Sequence, residues 1–497
     1  MAAPAHEVVL ASKDNDAAAV ADEDAPGPAI SLPEDTGEGG KLSMIVQLVK
    51  KCFGVKDIAA MRLSLPASLL EPIPNLEYWH YLDRPDLIND SEDPFDRMLA
   101  VLRFTFSKDL RHIRGKVCKP YNSVLGEHFR SHWDVLPGWS TSAVQSTAAP
   151  SPASTSTVES NVDARLSNLS LAETDGQTAA SSEQPESDDP RAPHVRVVYL
   201  TEQVSHHPPI SAFYATCPAR GVALAGVDQI SAKVTSTATV RIGPGHANKG
   251  IFVLVQGGHG AGEQYQITHP VAQVNGILRG SFYVTVGEST IITCTGGRGF
   301  DGKQLRAVIE YKEESWLGKP QFAVEGVIHT YTPGATEHEE WTRVKHVPRE
   351  CALAYLDGAW RHKVRWRRAG AAGGKEEWST LMDLSTLHVV PKAVRPLERQ
   401  LPNESRRLWE RVTTKLVSKE FGEATRHKHA IEQKQREDAA ERKRKGVEFV
   451  PRYFEKDIES GVPRLTLDGE AAIEEELKED PAYTPEDAHS TMPVAAP

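Results

Sequence analysis

The stretch "TEQVSHHPPISAFY" (Thr201–Tyr214) sets two adjacent imidazoles, His206 and His207, ahead of two prolines in an otherwise apolar, strand-like run. Successive side chains on a regular strand face opposite sides, so a zinc site built on one strand would use residues i and i+2. No Cys, His or Asp cluster nearby offers a third ligand at a familiar spacing. Nucleophilic catalysis would need more than Ser205 beside the pair, and there is neither a G-x-S-x-G elbow nor an identifiable partner acid. The third possibility is a clamp for an anion. Pro208 and Pro209 push the residues before them away from the α region, and a stiff, irregular exit from a strand can bring both rings and the Ser205 hydroxyl to one rim. Imidazoles donate N–H to an anion, and a bound dianion raises their pKa and strengthens the contact. The anion clamp fits best; surface histidines at a strand end are the plain alternative.

Other stretches carry charge at useful spacing. In "RHKHAIEQKQRE" (426–437), Lys428, Glu432 and Arg436 fall at i, i+4 and i+8, on one helix face about two turns long. Lys and Arg there can hold phosphate oxygens while Glu432 orients them or accepts ligand hydroxyls; a solvated helix with i,i+4 ion pairs has the same pattern. In "CKPYNSVLGEHF" (118–129), Lys119 precedes a proline and is extended, Asn122 suits a turn, and Gly126 permits close backbone approach. "GRGFDG" (Gly297–Gly302) matches G-x-G-x-x-G. A dinucleotide site needs that pattern between a strand and a helix, but here strand-like sequence lies on both sides, so it reads as a hairpin turn.

The elements that must position these groups are mostly strands. From about 194 to 345 the runs "VRVVYL", "GIFVLVQ", "SFYVTVGESTIITCTG", "QLRAVIEYK" and "QFAVEGVIHTYT" are punctuated by Gly257–Gly258, Gly296–Gly297 and Asp301–Gly302. Many short strands in series predict a large antiparallel sheet or barrel. After about 403 the period becomes helical, with Asn403 as an expected N-cap and Leu408, Trp409 and Val412 opening an apolar stripe. A highly charged helical stretch follows from about 424 to 445. Near the start, "LSMIVQLVKKCF" (42–53) places Ile45, Leu48, Val49 and Cys52 on one helical face backed by Lys50 and Lys51.

Bulk composition bounds the function. The chain has 497 residues and a net charge of −11, with a pI near 6.0 and a mean hydropathy of −0.41. A globally basic nucleic-acid binder is excluded, so any affinity for anions must come from a local patch. Five scattered cysteines without CxxC fit a reduced, cytosolic protein without a zinc module. The N-terminus lacks a signal peptide's features, and no apolar run approaches a membrane span. The N-x-S/T sequons at Asn89, Asn168 and Asn403 read as chance matches. Residues 1–41 and 466–497 read as acidic flexible tails, and about 139–193, dominated by Ser, Thr, Ala and Pro, as a disordered insert within one domain.

Taken together, the stretches resemble the ligand-binding domain of the oxysterol-binding-protein-related family. "EQVSHHPP" (Glu202–Pro209) is that family's fingerprint, unbroken here, and "KPYNSVLGE" (Lys119–Glu127) is similar to its KPxNPxLGE segment, with Ser123 where a proline is usual. "EDPFDRMLAVLRF", "RPLERQLPNESRRLW" and the K-x-x-x-E-x-x-x-R helix follow in the family's order, so the likeness covers about 42 to 455 apart from the insert.

The resemblance implies a mainly β fold with helices: a large incomplete antiparallel β-barrel enclosing a hydrophobic tunnel, an N-terminal amphipathic lid (about 42–60) and a C-terminal helical part (about 403–446), within a domain spanning 42–465. The residues before it leave no room for a separate targeting module. It implies a non-enzymatic, cytosolic lipid-transfer protein without cofactor or metal, probing organelle membranes or contact sites transiently as a monomer. The expected cargo is phosphatidylinositol 4-phosphate exchanged for a sterol; a phosphatidylserine exchanger or a lipid sensor without net transport stands as the alternative. The phosphoinositide headgroup falls to Lys119, Asn122, His206, His207, Lys428, Glu432 and Arg436, and the lid's apolar face to Ile45, Leu48, Val49 and Cys52. "RLSLPASLLEPIPNLEYW" (62–79) is expected to line or border the tunnel.

Overall fold

Runs of β-branched and aromatic residues broken by glycine turns can form hairpins with short connections, and here they form one continuous series. In this computed structural model, the described residues are 70–78, 91–108, 119–135, 195–235, 239–275, 283–314, 321–370, 377–387 and 389–478, with a few short pieces before 120. Twelve strands make the main sheet. They are β1 (His128–Val135), β2 (Val195–Ser205), β3 (Ile210–Cys217), β4 (Val222–Asp228), β5 (Ile251–Val255) and β6 (Glu263–Ile267), then β7 (Ser289–Gly296), β8 (Gln304–Tyr311), β9 (Ala323–Tyr331), β10 (Ala352–Ala359), β11 (Lys363–Arg368) and β12 (Ser379–Asp383). Each pairs only with its neighbours in chain order, antiparallel throughout, so the sheet is a pure meander from β1 to β12. β1 and β12 do not pair, and the curved sheet is an incomplete barrel.

Two further hairpins grow out of this sheet. Ile230–Val234 with Val240–Pro244 leaves between β4 and β5, and Val271–Asn275 with Tyr283–Gly287 leaves between β6 and β7; the two join in a separate four-stranded sheet. The run "SFYVTVGESTIITCTG" is therefore not one strand. Glu288, at φ 65°, breaks it, and its two halves serve different sheets. The expected glycine hairpin at Gly297–Gly302 does connect β7 and β8, with Gly296, Gly297, Gly299 and Gly302 all at positive φ.

The inward positions carry the core. Trp133 on β1, Val197 and Tyr199 on β2, Phe213 on β3, Leu224 on β4 and Tyr265 on β6 pack in one cluster with a helix. That helix, after the single turn α1 (Asn75–Tyr78), is α2 (Pro94–Ser107). Asp93 caps it by accepting from Phe95 N–H, and Pro94 occupies the first turn, where a missing N–H costs nothing. Phe95, Met98, Leu99, Val101, Leu102, Phe104 and Phe106 are all buried, so it is apolar nearly all round, as a helix against a concave sheet must be. Its one buried cation, Arg97, pairs with Glu263 on β6, which also accepts from the Tyr265 hydroxyl at 2.7 Å.

Helices α3 (Ser405–Val417) and α4 (Phe421–Lys445) form the expected C-terminal helical part. Asn403 is not the cap: Glu404 stands there, and the Asn403 carbonyl instead accepts from His128 N–H. The segment before α3 also covers the open edge of β1, where His132 and Ala393 exchange backbone hydrogen bonds at 3.1 and 2.8 Å. The expected acidic tail from 466 is corrected by α5 (Leu467–Leu477). Ala472 and Ile473 pack with Tyr453 and Phe454 on Val198, Leu200 and Ala212, the outer face of β2 and β3. Its acidic side meets partners from the sheet and from the segment before α3: Glu475 bonds Arg130 at 2.7 Å, and Glu476, fully buried, bonds the His132 ring at 2.7 Å and Arg395 at 3.1 Å. Arg196 donates to the Glu476 and Leu477 carbonyls at the helix's end.

The insert at about 139–193, the segment after 478 and most of the lid lie outside the described residues. Of the lid, Cys52 is buried and Lys50 exposed.

Candidate functional site

The histidine pair sits at the tip of the β2–β3 hairpin. β2 ends at Ser205, β3 begins at Ile210, and residues 206–209 make the connection, after a register shift between Gln203 and Ser205. The shift breaks the strict alternation of a flat strand. As a result the His206 and His207 rings meet edge to face, with centroids 4.4 Å apart. The His207–Pro208 peptide is cis. Ser205 is not a third group on the rim: its hydroxyl donates to the Pro208 carbonyl at 2.8 Å and closes the turn. Among the described residues, no three His, Cys, Asp or Glu side chains converge as a metal-binding group.

The loop 119–127 lies directly beside this tip. Gly126 N–H donates to the Gln203 carbonyl at 2.9 Å, and Gln203 N–H donates to the Glu127 carbonyl at 2.8 Å. The loop thus joins β2 two residues before the turn. Gly126 needs to be glycine on two counts: φ is +78°, and a Cβ would lie 3.3 Å from the Phe449 ring. At the loop's start Lys119 and Asn122 are both exposed, and the ammonium donates to Asn122 Oδ1 at 2.7 Å. Tyr121 between them is fully buried, its ring tilted against Trp409 of α3 with centroids 4.9 Å apart, its hydroxyl 2.9 Å from Thr413. Exposed Lys119 and Asn122 flank the buried Pro120 and Tyr121, and Tyr121 anchors the loop.

Helix α4 closes the arrangement. Lys428 is 3% exposed and bonds Glu432 at 2.7 Å. Gln435, seven residues after Lys428 and so on the same face, accepts from Leu125 N–H in the loop at 3.1 Å. Arg436, one residue on, donates to Gln433 at 3.2 Å. The Lys428–Glu432 face is thereby directed to the side of the helix that the loop occupies. All three sequence stretches meet here, through Gly126–Gln203 and Leu125–Gln435.

The residue that organises this meeting, Glu127, is one that pattern reading passed over. Its carboxylate is fully buried and accepts from Val124 N–H (3.0 Å), the Ser405 hydroxyl (2.7 Å) and Trp409 Nε1–H (3.0 Å). Burial drives its pKa up to about 7, against the pull of those three donors in the opposite direction. Its place at the end of the KPYNSVLGE segment was the available signal, but its partners on α3 lie 278 and 282 residues away in sequence. The neighbouring His128 is held neutral, its pKa pushed down by burial to about 4.

An open antiparallel meander packed on a buried helix is a fold also found in solved structures. The crystal structure of the Osh1 ORD domain in complex with cholesterol shares it at a TM-score of 0.55 and 20% identity, covering 89% of each chain. That of the Osh3 ORD in complex with PI(4)P from Saccharomyces cerevisiae gives 0.51 at 16% identity, over 92% of this chain and 96% of that one. A sequence model of the oxysterol-binding protein family matches residues 44–476, which carries the domain through α5. Oxysterol-binding protein-like protein 1 of Schizosaccharomyces pombe (strain 972 / ATCC 24843) is 38% identical over 493 residues, covering 89% of this chain and 92% of its own. Human oxysterol-binding protein-related protein 11 is 28% identical, and 46% of its length is covered. The chain belongs to the oxysterol-binding protein family.

Proposed function

We propose that this protein binds phosphatidylinositol 4-phosphate and, in alternation, a sterol in one hydrophobic tunnel, and exchanges them between membranes it touches transiently. The observation that carries the reading is the pair of bonds, Gly126–Gln203 and Leu125–Gln435, that ties the lysine loop to both the histidine tip and α4. Lys119, Asn122, His206, His207, Lys428, Glu432 and Arg436 would then share one ligand: cations and N–H donors take the phosphates, and Glu432 takes an inositol hydroxyl. In a chain of net charge −11, such a cluster is the way to hold a multiply charged headgroup. The solved relatives with PI(4)P and with cholesterol support the two kinds of cargo. Acyl chains or a sterol would gain about 0.8 kcal/mol per buried CH₂, which favours a site shut from water and a lid such as 42–60.

The test is extraction from vesicles. A charge-assisted contact contributes about 1.5–3 kcal/mol, so His206→Ala with His207→Ala should lower phosphoinositide extraction on the order of a hundredfold or more and spare sterol extraction. Equal phosphoinositide extraction by both proteins would refute the headgroup assignment. A two-vesicle assay reads transfer directly: tight binding without transfer would replace the exchanger by a sensor. Native mass spectrometry of co-purified lipid separates a sterol from phosphatidylserine as the second cargo.

A further inference from the structure

Among the described residues, the three most exposed large apolar side chains are Val447 (58%), Val450 (71%) and Leu467 (83%). They belong to one region. The Thr466 hydroxyl donates to the Arg452 carbonyl at 2.5 Å, and Arg452 pairs with Asp468 at 2.9 Å, so Leu467 flanks the segment that carries Val450. Immediately before that segment α4 ends in four consecutive cations, Arg442–Lys445, of which Lys443, Arg444 and Lys445 are exposed. From 442 to 452 there are five cations and one carboxylate, in a chain whose net charge is −11.

The patch is also next to the candidate headgroup site. Phe449 lies 3.3 Å from the position a Gly126 side chain would occupy, and the Arg442 guanidinium is 5.8 Å from the Phe449 ring. Gly446, at φ 63°, ends the helix and turns the chain so that Val447 and Val450 follow the cations. Lys445 pairs with Glu441 at 2.7 Å, and Lys456 pairs with Glu448. Exposed pairs of this kind are worth little, so their cations can exchange a carboxylate for a lipid phosphate.

Exposed aliphatic side chains beside a run of lysine and arginine suit a bilayer interface: cations at the headgroups, apolar side chains just below. We infer that residues 442–450 together with Leu467 form the surface by which this protein docks on an anionic membrane, setting the candidate headgroup site against the bilayer. This rests on the proposed lipid transfer, but its chemistry is independent of the cargo, since any anionic lipid would serve.

The test uses the full chain and vesicles without phosphoinositide, so that it cannot be confused with loss of the headgroup site. Each cation brought to an anionic surface contributes roughly fivefold in binding. Lys443→Ala with Arg444→Ala and Lys445→Ala should therefore weaken co-sedimentation with phosphatidylcholine–phosphatidylserine vesicles about a hundredfold, and Val447→Asp with Val450→Asp should weaken it as well. Binding of wild type should fall steeply with salt and be weak on phosphatidylcholine alone. Lys345→Ala with Arg349→Ala, exposed on the segment over β8 and β9, should change little. Equal binding by wild type and the triple variant, or an equal loss in the 345/349 control, overturns the inference. Failure of wild type to bind anionic vesicles at all also overturns it, in favour of an acidic protein as the partner.

Discussion

Replacing Glu127 by glutamine should leave the fold intact and remove a pH dependence. The geometry permits the exchange. Glu127 Oε2 accepts both Val124 N–H and Trp409 Nε1–H, and an amide oxygen can do the same. The amide nitrogen would then face Ser405, whose hydroxyl can turn to the His128 carbonyl 3.2 Å away. Every bond survives with its direction adjusted, and only the charge is lost. The carboxyl's ordinary value is 4.5 and burial raises it to about 7. A group whose folded pKa is raised stabilises the fold fully below its unfolded value, and that contribution is lost as pH rises through the folded value. The window is therefore about pH 4.5 to 7. At about 1.4 kcal/mol per pKa unit, the total is about 3 kcal/mol. Urea unfolding of wild type and Glu127→Gln across this window cancels the contributions of other groups. The variant should gain about 2.5 kcal/mol relative to wild type between pH 5 and pH 8. A difference that stays flat with pH would show that the carboxyl ionises near its ordinary value and refute the reasoning.

Three further outcomes are expected. Gly126→Ala should cost about 1–2 kcal/mol, because φ +78° disfavours any Cβ and Phe449 must give way; thermal unfolding reads it, and an unchanged midpoint refutes it. Glu476→Ala strands a buried cation, Arg395, removes the partner of the buried His132 ring, and should cost about 3–5 kcal/mol, with faster proteolysis around α5 as its local signature. His329 is fully buried, its Nδ1–H donating to the Thr330 carbonyl and its Nε2 without a hydrogen-bond partner, and burial lowers its pKa to about 4. Its stabilising contribution is present above pH 6.5 and lost as pH falls towards 4, so His329→Phe should flatten that acid limb in denaturant titrations.

What could be read from sequence followed from how local each signal is. The three charged or histidine-bearing stretches and the strand series were legible because each is contiguous. Their meeting was not, since it depends on Gly126–Gln203 and Leu125–Gln435, bonds that no spacing encodes. β11, "KVRWRR", hid because its arginines suggest solvent; in fact Arg365 and Arg367 lie over the Trp378 ring at 4.8 and 5.2 Å. α5 hid for the opposite reason. Its acidic composition looks self-repelling, and the arginines that neutralise it, Arg130, Arg196 and Arg395, with the His132 ring as a further partner, come from β1, β2 and the segment before α3. Glu127 closes the KPYNSVLGE segment, but only its burial and its donors reveal its structural part.

The strictly sequential order of the twelve strands has a consequence for how the chain assembles and varies. Most of the pairings join residues close in sequence, so much of the sheet can grow by adding one strand at a time with little long-range search. The long connection is between β1 and β2, where residues 136–194 separate paired strands. Closing a loop costs free energy only logarithmically in its length, about 0.6 kcal/mol per doubling. A meander therefore tolerates extra sequence at this join without disturbing the other eleven strands' pairing order. Length variation among related chains should concentrate there, leaving Gly126, Glu127 and the histidine turn in fixed register.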